Sequence, residues 1–283
     1  MMRGERNIAV AVRRPDGQID ITSNPLAGIY KGKLRETAFI RGIIVLIETM
    51  ALGIQALLHS AEVASFEETH EKISPGLLWG TAAVSIIFGI ALFFVLPLLI
   101  TNFLIYPFVA SAVVGNLLEG IIRLAIFILY LWLISLMPDI KRVFAYHGAE
   151  HKVINAYEAG ISLESEQIKK YSKAHARCGT NFLLVVLVIA IIIFTLLGRP
   201  PLWLGILYRI ILIPIIAAIS YEFIKFSAVH RDNPVISSLL APGLLLQSMT
   251  TREPVDGQIE TAIVALNKVI EADNTEIVTS ANA

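Results

Sequence analysis

From Ile73 to Leu118 the chain carries no Asp, Glu, Lys, Arg or His, a run of 46 uncharged residues. A second uncharged run, "CGTNFLLVVLVIAIIIFTLLG", extends from Cys178 to Gly198. A helix needs about 20 apolar residues to cross the hydrocarbon core of a bilayer. The strands of a membrane barrel would be about half as long and would alternate in polarity. The expected class is therefore an all-α polytopic membrane protein. Composition agrees: of 283 residues 55% are hydrophobic and only 16% are charged, against about 25% in a soluble domain. The net charge of zero hides segregation of charge along the chain. A single cysteine, Cys178, excludes an intrachain disulfide framework.

The soluble parts are small. Residues 7 to 22, "NIAVAVRRPDGQIDIT", alternate around a Pro-Asp-Gly turn, which predicts a β-hairpin. The opening "MMRGERNIAVAVRRPDG" is basic without a following apolar core, so the N-terminus is expected in the cytosol. In "ETAFIRGIIVLIETMALGIQALLHS", residues 36 to 60, Arg41, Glu48 and Gln55 recur every seven residues and form one stripe of a helix. An interfacial or bundle-packed amphipathic helix is the favoured reading, and a stripe facing a cavity the alternative.

Clear spans are expected at 76 to 98, 121 to 137, 179 to 198 and 203 to 226. Residues 99 to 120, uncharged up to Glu119 but set off by breaks at Pro97, Pro107, Gly115 and Asn116, read as a re-entrant segment or an extra short span. Lysines and arginines crowd the N-terminal segment and the loop from Lys141 to Arg177, whereas the opposite connections contain only Arg199. The positive-inside rule then puts both termini and that central loop in the cytoplasm. Four spans satisfy it, and so do six if 36 to 60 and 103 to 118 also cross. The six-span version makes "EVASFEETHEK" extracytoplasmic.

The expected organisation is a cytosolic hairpin segment (1–35), a first membrane region (36–137) and a cytosolic helical loop with the chemistry (138–178). A second membrane region (179–228) and a cytosolic interfacial segment with a C-terminal amphipathic helix (229–283) follow. In that helix Ile259, Ile263, Leu266 and Ile270 fall at helical spacing, a face that docks most simply on this same protein. No glycine-rich phosphate loop precedes a helix, and no basic-aromatic surface suggests nucleic acid.

The chemistry lies in "FAYHGAEHKVINAYEAG", residues 144 to 160. His147 and His151 are four residues apart, about 40° around an α-helix, so both rings can reach one ion. Glu150 beside them can act as base to a metal-activated water, and His-x-x-Glu-His is the inverzincin pattern. A solvated helix face beyond the membrane is the competing reading. His175 and Cys178 in "KAHARCGTN", and Tyr221 and Glu222 near the end of the last span, fall on the same membrane face. A catalytic zinc takes three protein ligands and keeps a fourth position open. His147 and His151 with one of Glu222, His175 or Cys178 complete such a set. For Cys178 a packing role competes. For Glu222 the competitor is a salt bridge to Lys225, and Thr180 or Asn181 reads as a helix cap.

"MMRGERNIAVAVR", "YHGAEHKVINAYE", "HARCGTNF", "ISYEFIKFSA" and "APGLLLQSMTTREP" together resemble the bacterial YqhQ-type family, a domain family of unknown function whose members are described as predicted metal-dependent membrane enzymes. The resemblance covers nearly the whole chain. It implies that His147, Glu150 and His151 match the family's His-Gly-Ala-Glu-His core, that His175, Arg177 and Cys178 match its second motif, and that Tyr221 and Glu222 match its third. Family members usually carry a glycine-rich lead before the Met-Met-Arg, and this chain begins at that Met-Met. If the lead contributes to the site, the site in this chain is incomplete.

The expectation is a bacterial inner-membrane protein of four to six spans with a small N-terminal β-hairpin and cytosolic helical segments. It is read as a zinc-dependent hydrolase, with a divalent metal as cofactor and Glu150 as catalytic base. Its substrate, unidentified, is reached from the cytosolic face. The lipid bilayer is its partner, a homo-oligomer is compatible, and nucleic acid is not expected. Two other classes compete. One is a metal or ion transporter whose path is lined by Arg41, Glu48, Gln55, Arg123, Arg209 and Glu222. The other is a scaffold or assembly factor with a structural metal.

Overall fold

The architecture is that of a computed structural model describing residues 1–69, 74–175, 178–230 and 233–281. Three strands open the chain: β1 (Met2–Arg3), β2 (Asn7–Arg13) and β3 (Ile19–Pro25), an antiparallel sheet in that order. The hairpin is the one predicted. Val10 pairs with Thr22 and Arg13 with Ile19, and Gly17 takes φ +90° in the turn, a conformation that favours glycine.

Two short 3-10 turns, Gly28–Tyr30 and Lys33–Arg35, lead into α1 (Ile40–Thr69). Next comes α2 (Pro75–Ile90), continued by a π-helical turn (Ala91–Val95), α3 (Leu96–Ile100) and a second π-helical turn (Thr101–Ile105). The chain reverses and enters α4 (Ala112–Ile134), followed by α5 (Pro138–Glu158) and the single turn α6 (Ser165–Ile168). The remainder is α7 (Gly179–Leu196), α8 (Leu202–Ile211), α9 (Ile213–Val229), α10 (Pro234–Thr250) and α11 (Asp256–Ala281). Among the described residues four helices can cross a membrane by length and composition, Ile40–Val63, Trp79–Ile105, Ala112–Ile134 and Gly179–Leu196, with a fifth if α8 and α9, bent by 44°, form one span. The chain is a multi-pass membrane protein.

Residues 99 to 120 correct the sequence reading. They form neither a re-entrant segment nor a separate span: 99 to 105 prolong the first spanning helix and 112 to 120 begin α4. The two π-helical turns carry the first helix past Pro97. Proline has no N–H for the carbonyl of Phe93 four residues earlier, and a buried carbonyl needs a partner. Arg123 of α4 supplies it, its Nε donating to Phe93 O at 3.0 Å. Arg123 also donates to Glu119 at 2.5 Å, and Arg209 of α8 grips the same carboxylate through Nε at 3.0 Å and Nη2 at 2.5 Å. The Phe194 ring lies 4.8 Å from the Arg123 guanidinium and 5.0 Å from that of Arg209.

Outside the apolar layer, β1, β2, α5, α6 and α11 share one core built on Met2, Ala9, Ala149, Val153, Ile168, Ile259 and Leu266. The C-terminal helix docks on its own protein, as expected from its apolar spacing. Asp273 fastens it to the sheet by accepting from Glu5 N–H at 2.6 Å, Arg6 N–H at 3.1 Å and Asn7 Nδ2 at 2.9 Å. The sheet at the start of the chain and its C-terminal helix therefore form one packed unit. The helix α10 packs on α7 and α4, with Leu246 among Phe127, Leu131 and Leu187.

Candidate metal centre

Helix α5 leaves the apolar layer directly after α4 and carries His147 and His151 on adjacent turns. Its Gly148 sits where two backbones nearly touch: an added Cβ would stand 2.1 Å from Arg252 O. Only a glycine lets the segment after α10 run along α5, where Arg252 N–H donates to Phe144 O at 2.9 Å. This contact delivers the carbonyl of Thr250 to His147, whose Nδ1 lies 2.9 Å from it. On the other side Asn155 donates to the carbonyls of Ser172 and Ala174, at 2.7 and 3.0 Å. It thereby holds the loop that offers Lys173 O to His151 Nδ1 at 2.6 Å. Gln247 of α10 clamps that loop at His175, accepting from its N–H at 2.8 Å and donating to its carbonyl at 3.0 Å.

A carbonyl only accepts, so each Nδ1 carries a proton, and in the neutral ring the lone pair is on Nε2. Cys178 completes the group, its Sγ 3.3 Å from His147 Nε2. One ligand atom from each of His147, His151 and Cys178 lies within 4.8 Å of the others. His151 and Cys178 are buried and His147 is half-buried. Burial by itself pushes the Cys178 thiol up, but hydrogen bonds from His147, His151 and Thr180 outweigh it and bring the pKa down from 9.0 to about 4. Burial likewise opposes protonation of His147, yet Cys178, the Thr250 carbonyl and Glu150 carry its pKa above the ordinary histidine value. A tetrahedral ion with Zn–N of about 2.1 Å and Zn–S of about 2.3 Å sets its donors about 3.4–3.7 Å apart. The His147–Cys178 pair, at 3.3 Å, stands close to that spacing, and two imidazoles and a thiolate within 4.8 Å of one another are a donor set that fits such an ion.

The other predicted site residues are distributed around this group. His175 stands beside it, its ring centroid 5.8 Å from that of His151, but its Nε2 is directed to Glu158 at 3.5 Å. Glu150 is part-exposed and lines a cavity of about 580 Å³ together with His147; its carboxylate is 3.9 Å from the Met1 amine. Glu222 is not brought to the histidines. Arg41 donates to its Oε1 from Nε at 2.7 Å and to its Oε2 from Nη2, and Phe39 N–H adds a bond of 3.0 Å. The cause is the close crossing of α1 and α9 at Gly42, where a Cβ would meet Ala218 Cα at 2.7 Å. An acid at the membrane edge takes the nearest cation, which is Arg41 across the helix pair rather than Lys225 on its own helix. Arg177, matched by the resemblance, lies outside the described residues, as do residues 70–72 of "EVASFEETHEK".

The residues considered for a transport path are engaged in ion pairs or otherwise placed. Glu48 is held by Arg3 at 2.9 Å and by Arg35, Arg123 and Arg209 share Glu119, and Gln55 is exposed. The N-cap of α7 is Cys178, whose sulfur accepts from Thr180 N–H at 3.4 Å, in place of the expected Thr180 or Asn181. Thr250 and Gln247 escaped the sequence reading because they act through chain reversal. Their signal was the polar end of an apolar segment, "LLLQSMTT".

Residues 37–272 match the family described as "Protein of unknown function (DUF1385)". The chain is 34% identical over 290 residues to the uncharacterized protein YqhQ of Bacillus subtilis (strain 168), an alignment covering 96% of this chain and 90% of that protein. No solved structure matches. The chain therefore belongs to the YqhQ-type bacterial family of unknown function, DUF1385.

Proposed function

We propose that this protein is a zinc-dependent hydrolase of the bacterial inner membrane, with His147, His151 and Cys178 as metal ligands and a site facing the cytoplasm. One observation carries the reading: backbone carbonyls take Nδ1–H of both histidines, so that Nε2 is the ring atom of each left to ligate, with the Cys178 sulfur beside it. Such carbonyl partners fix the tautomer and orientation of metal-binding histidines. The ion would supply Lewis-acid activation of water. Three protein donors among the described residues leave a fourth position open, which favours catalysis over a structural metal. Glu150, on the cavity side of α5, takes the proton of the attacking water and returns it to the leaving group. His175 and Glu222 are not ligands in this reading.

The test is elemental analysis of protein purified without chelator, beside His151→Ala and Cys178→Ser. About one zinc per chain, lost in both variants with the fold retained, is the expected result. A wild type that neither carries nor takes up metal sinks the proposal. A second reading rests on the 3.3 Å contact between Cys178 and His147, the geometry of a thiolate nucleophile beside its base. Activity that survives chelation and is lost on alkylation of Cys178 would select it.

A further inference from the structure

The cavity beside His147 has walls of two kinds. One is a single face of α5, from which Arg142, Val143, Tyr146, His147 and Glu150 point inward at helical spacing. The other is α1, which presents Gly53, Ala56, Leu57 and Ser60. Strand β2 and helix α11 close the remainder with mostly small and apolar side chains. The cavity is thus apolar over most of its surface and polar along one edge. Its volume of about 580 Å³ lies within the range of about 300–1,000 Å³ typical of small-molecule sites.

The position of α1 decides what reaches the cavity. The sheet, α5 and α11 share one core and so lie on one side of the membrane. Between the sheet and α5 the chain must then cross an even number of times. The helices Trp79–Ile105 and Ala112–Ile134 already account for two crossings, so α1 is not a third. Its contacts agree. Glu48 is held by Arg3 of β1 and by Arg35, and His59 Nε2 lies 3.6 Å from Asp20 of β3, so its polar stripe follows the sheet unit. On another face Ile40, Ile47, Met50 and Leu57 remain between 43% and 65% exposed, the apolar stripe of a helix lying in the membrane surface.

We propose that the cavity binds the acyl chain of a lipid drawn from the adjacent leaflet, with the lipid's polar group at the α5 edge beside His147. The ligand class follows from the wall: α1 joins the bilayer surface to the cavity, and the polar edge includes His147, one of the three candidate metal ligands. This names a substrate class for the hydrolase proposed above and rests on that reading for the reaction, though not for binding.

The test uses the full chain in nanodiscs containing a phosphatidylglycerol with a diazirine in one acyl chain. Cross-links are located by peptide mass mapping and zinc is measured on the same samples. Gly53→Phe is the informative variant, because a Cβ there meets nothing within 4 Å and the ring fills the cavity from a tolerant position. Ala56→Leu serves as a second filler. The expected result is cross-linking to residues 53–60 and 142–150, reduced several-fold by either filler with zinc content unchanged. Cross-links confined to the spanning helices, or insensitive to both fillers, would overturn the inference. Lipid capture without zinc would sink the hydrolase reading alone, and zinc without lipid capture would sink this one alone.

Discussion

Replacing Glu119 by Gln should be among the most damaging single changes in the membrane region. The carboxylate is 1% exposed and accepts three hydrogen bonds from two guanidinium groups, those of Arg123 and Arg209, whose side chains are 1% and 4% exposed. Glutamine preserves shape and one acceptor oxygen but removes the charge, so the excess of buried positive charge rises from one to two. The carbonyls of Phe93 and Gly205 and the ring of Phe194 already serve these arginines in the native protein and offer no new compensation. Removing one partner of a buried ion pair costs about 3–5 kcal/mol. At about 2–4 °C per kcal/mol, the variant should unfold about 6–20 °C below wild type.

The assay is thermal unfolding of detergent-solubilised protein followed by tryptophan fluorescence. Zinc content should not change, since Glu119 lies about 22 Å along α4 from the end that leads into α5. A triple replacement of Glu119, Arg123 and Arg209 by Leu should recover most of the loss, because an apolar substitute for a complete buried network is often neutral or stabilising. If Glu119→Gln unfolds within about 2 °C of wild type, the guanidinium groups are not desolvated and the reasoning fails.

Gly148→Ala should push the Arg252 carbonyl off α5 and with it the Thr250 carbonyl that orients His147; zinc affinity should fall about 10–100-fold while helix content holds, as read by competition with a chromophoric chelator. In metal-free protein Cys178 should react with iodoacetamide at pH 6 and keep reacting until pH approaches about 4, whereas an ordinary thiol would be only about 0.1–0.3% thiolate at pH 6; added zinc should protect it. Asp273 is opposed by burial but held below its ordinary pKa by Asn7 and the N–H groups of Glu5 and Arg6. A depressed carboxyl contributes stability that is present above its unfolded value of 3.8 and lost as pH falls through the folded value. Asp273→Asn should therefore flatten the acid limb of a stability profile measured below about pH 5.

How much of this was legible beforehand depended on the range over which each feature is encoded. The hairpin around Asp16 and Gly17 and the amphipathic face of Ile259 and Leu266 are local patterns, and both are found as read. The first span runs past its expected end at 98 to Ile105, because the Phe93 carbonyl that Pro97 cannot bond is taken by Arg123, thirty positions away, and no local rule connects them. The stripe of Arg41 and Glu48 was visible as a period of seven, but its partners Glu222, Arg3 and Arg35 were not.

The candidate site divides the same way. His147 and His151 are one helical turn apart on α5, so the sequence alone determined that they share a face. Hydropathy alone likewise determined a helical membrane protein. The third donor was a matter of tertiary structure. Helix α10 returns Thr250 and Gln247 to α5 and to the loop before α7, and that return seats Cys178, rather than Glu222, beside the histidines. Side-chain periodicity is set by the geometry of one helix. Convergence of donors from separate segments depends on how the helices pack, and packing is a property of the whole chain.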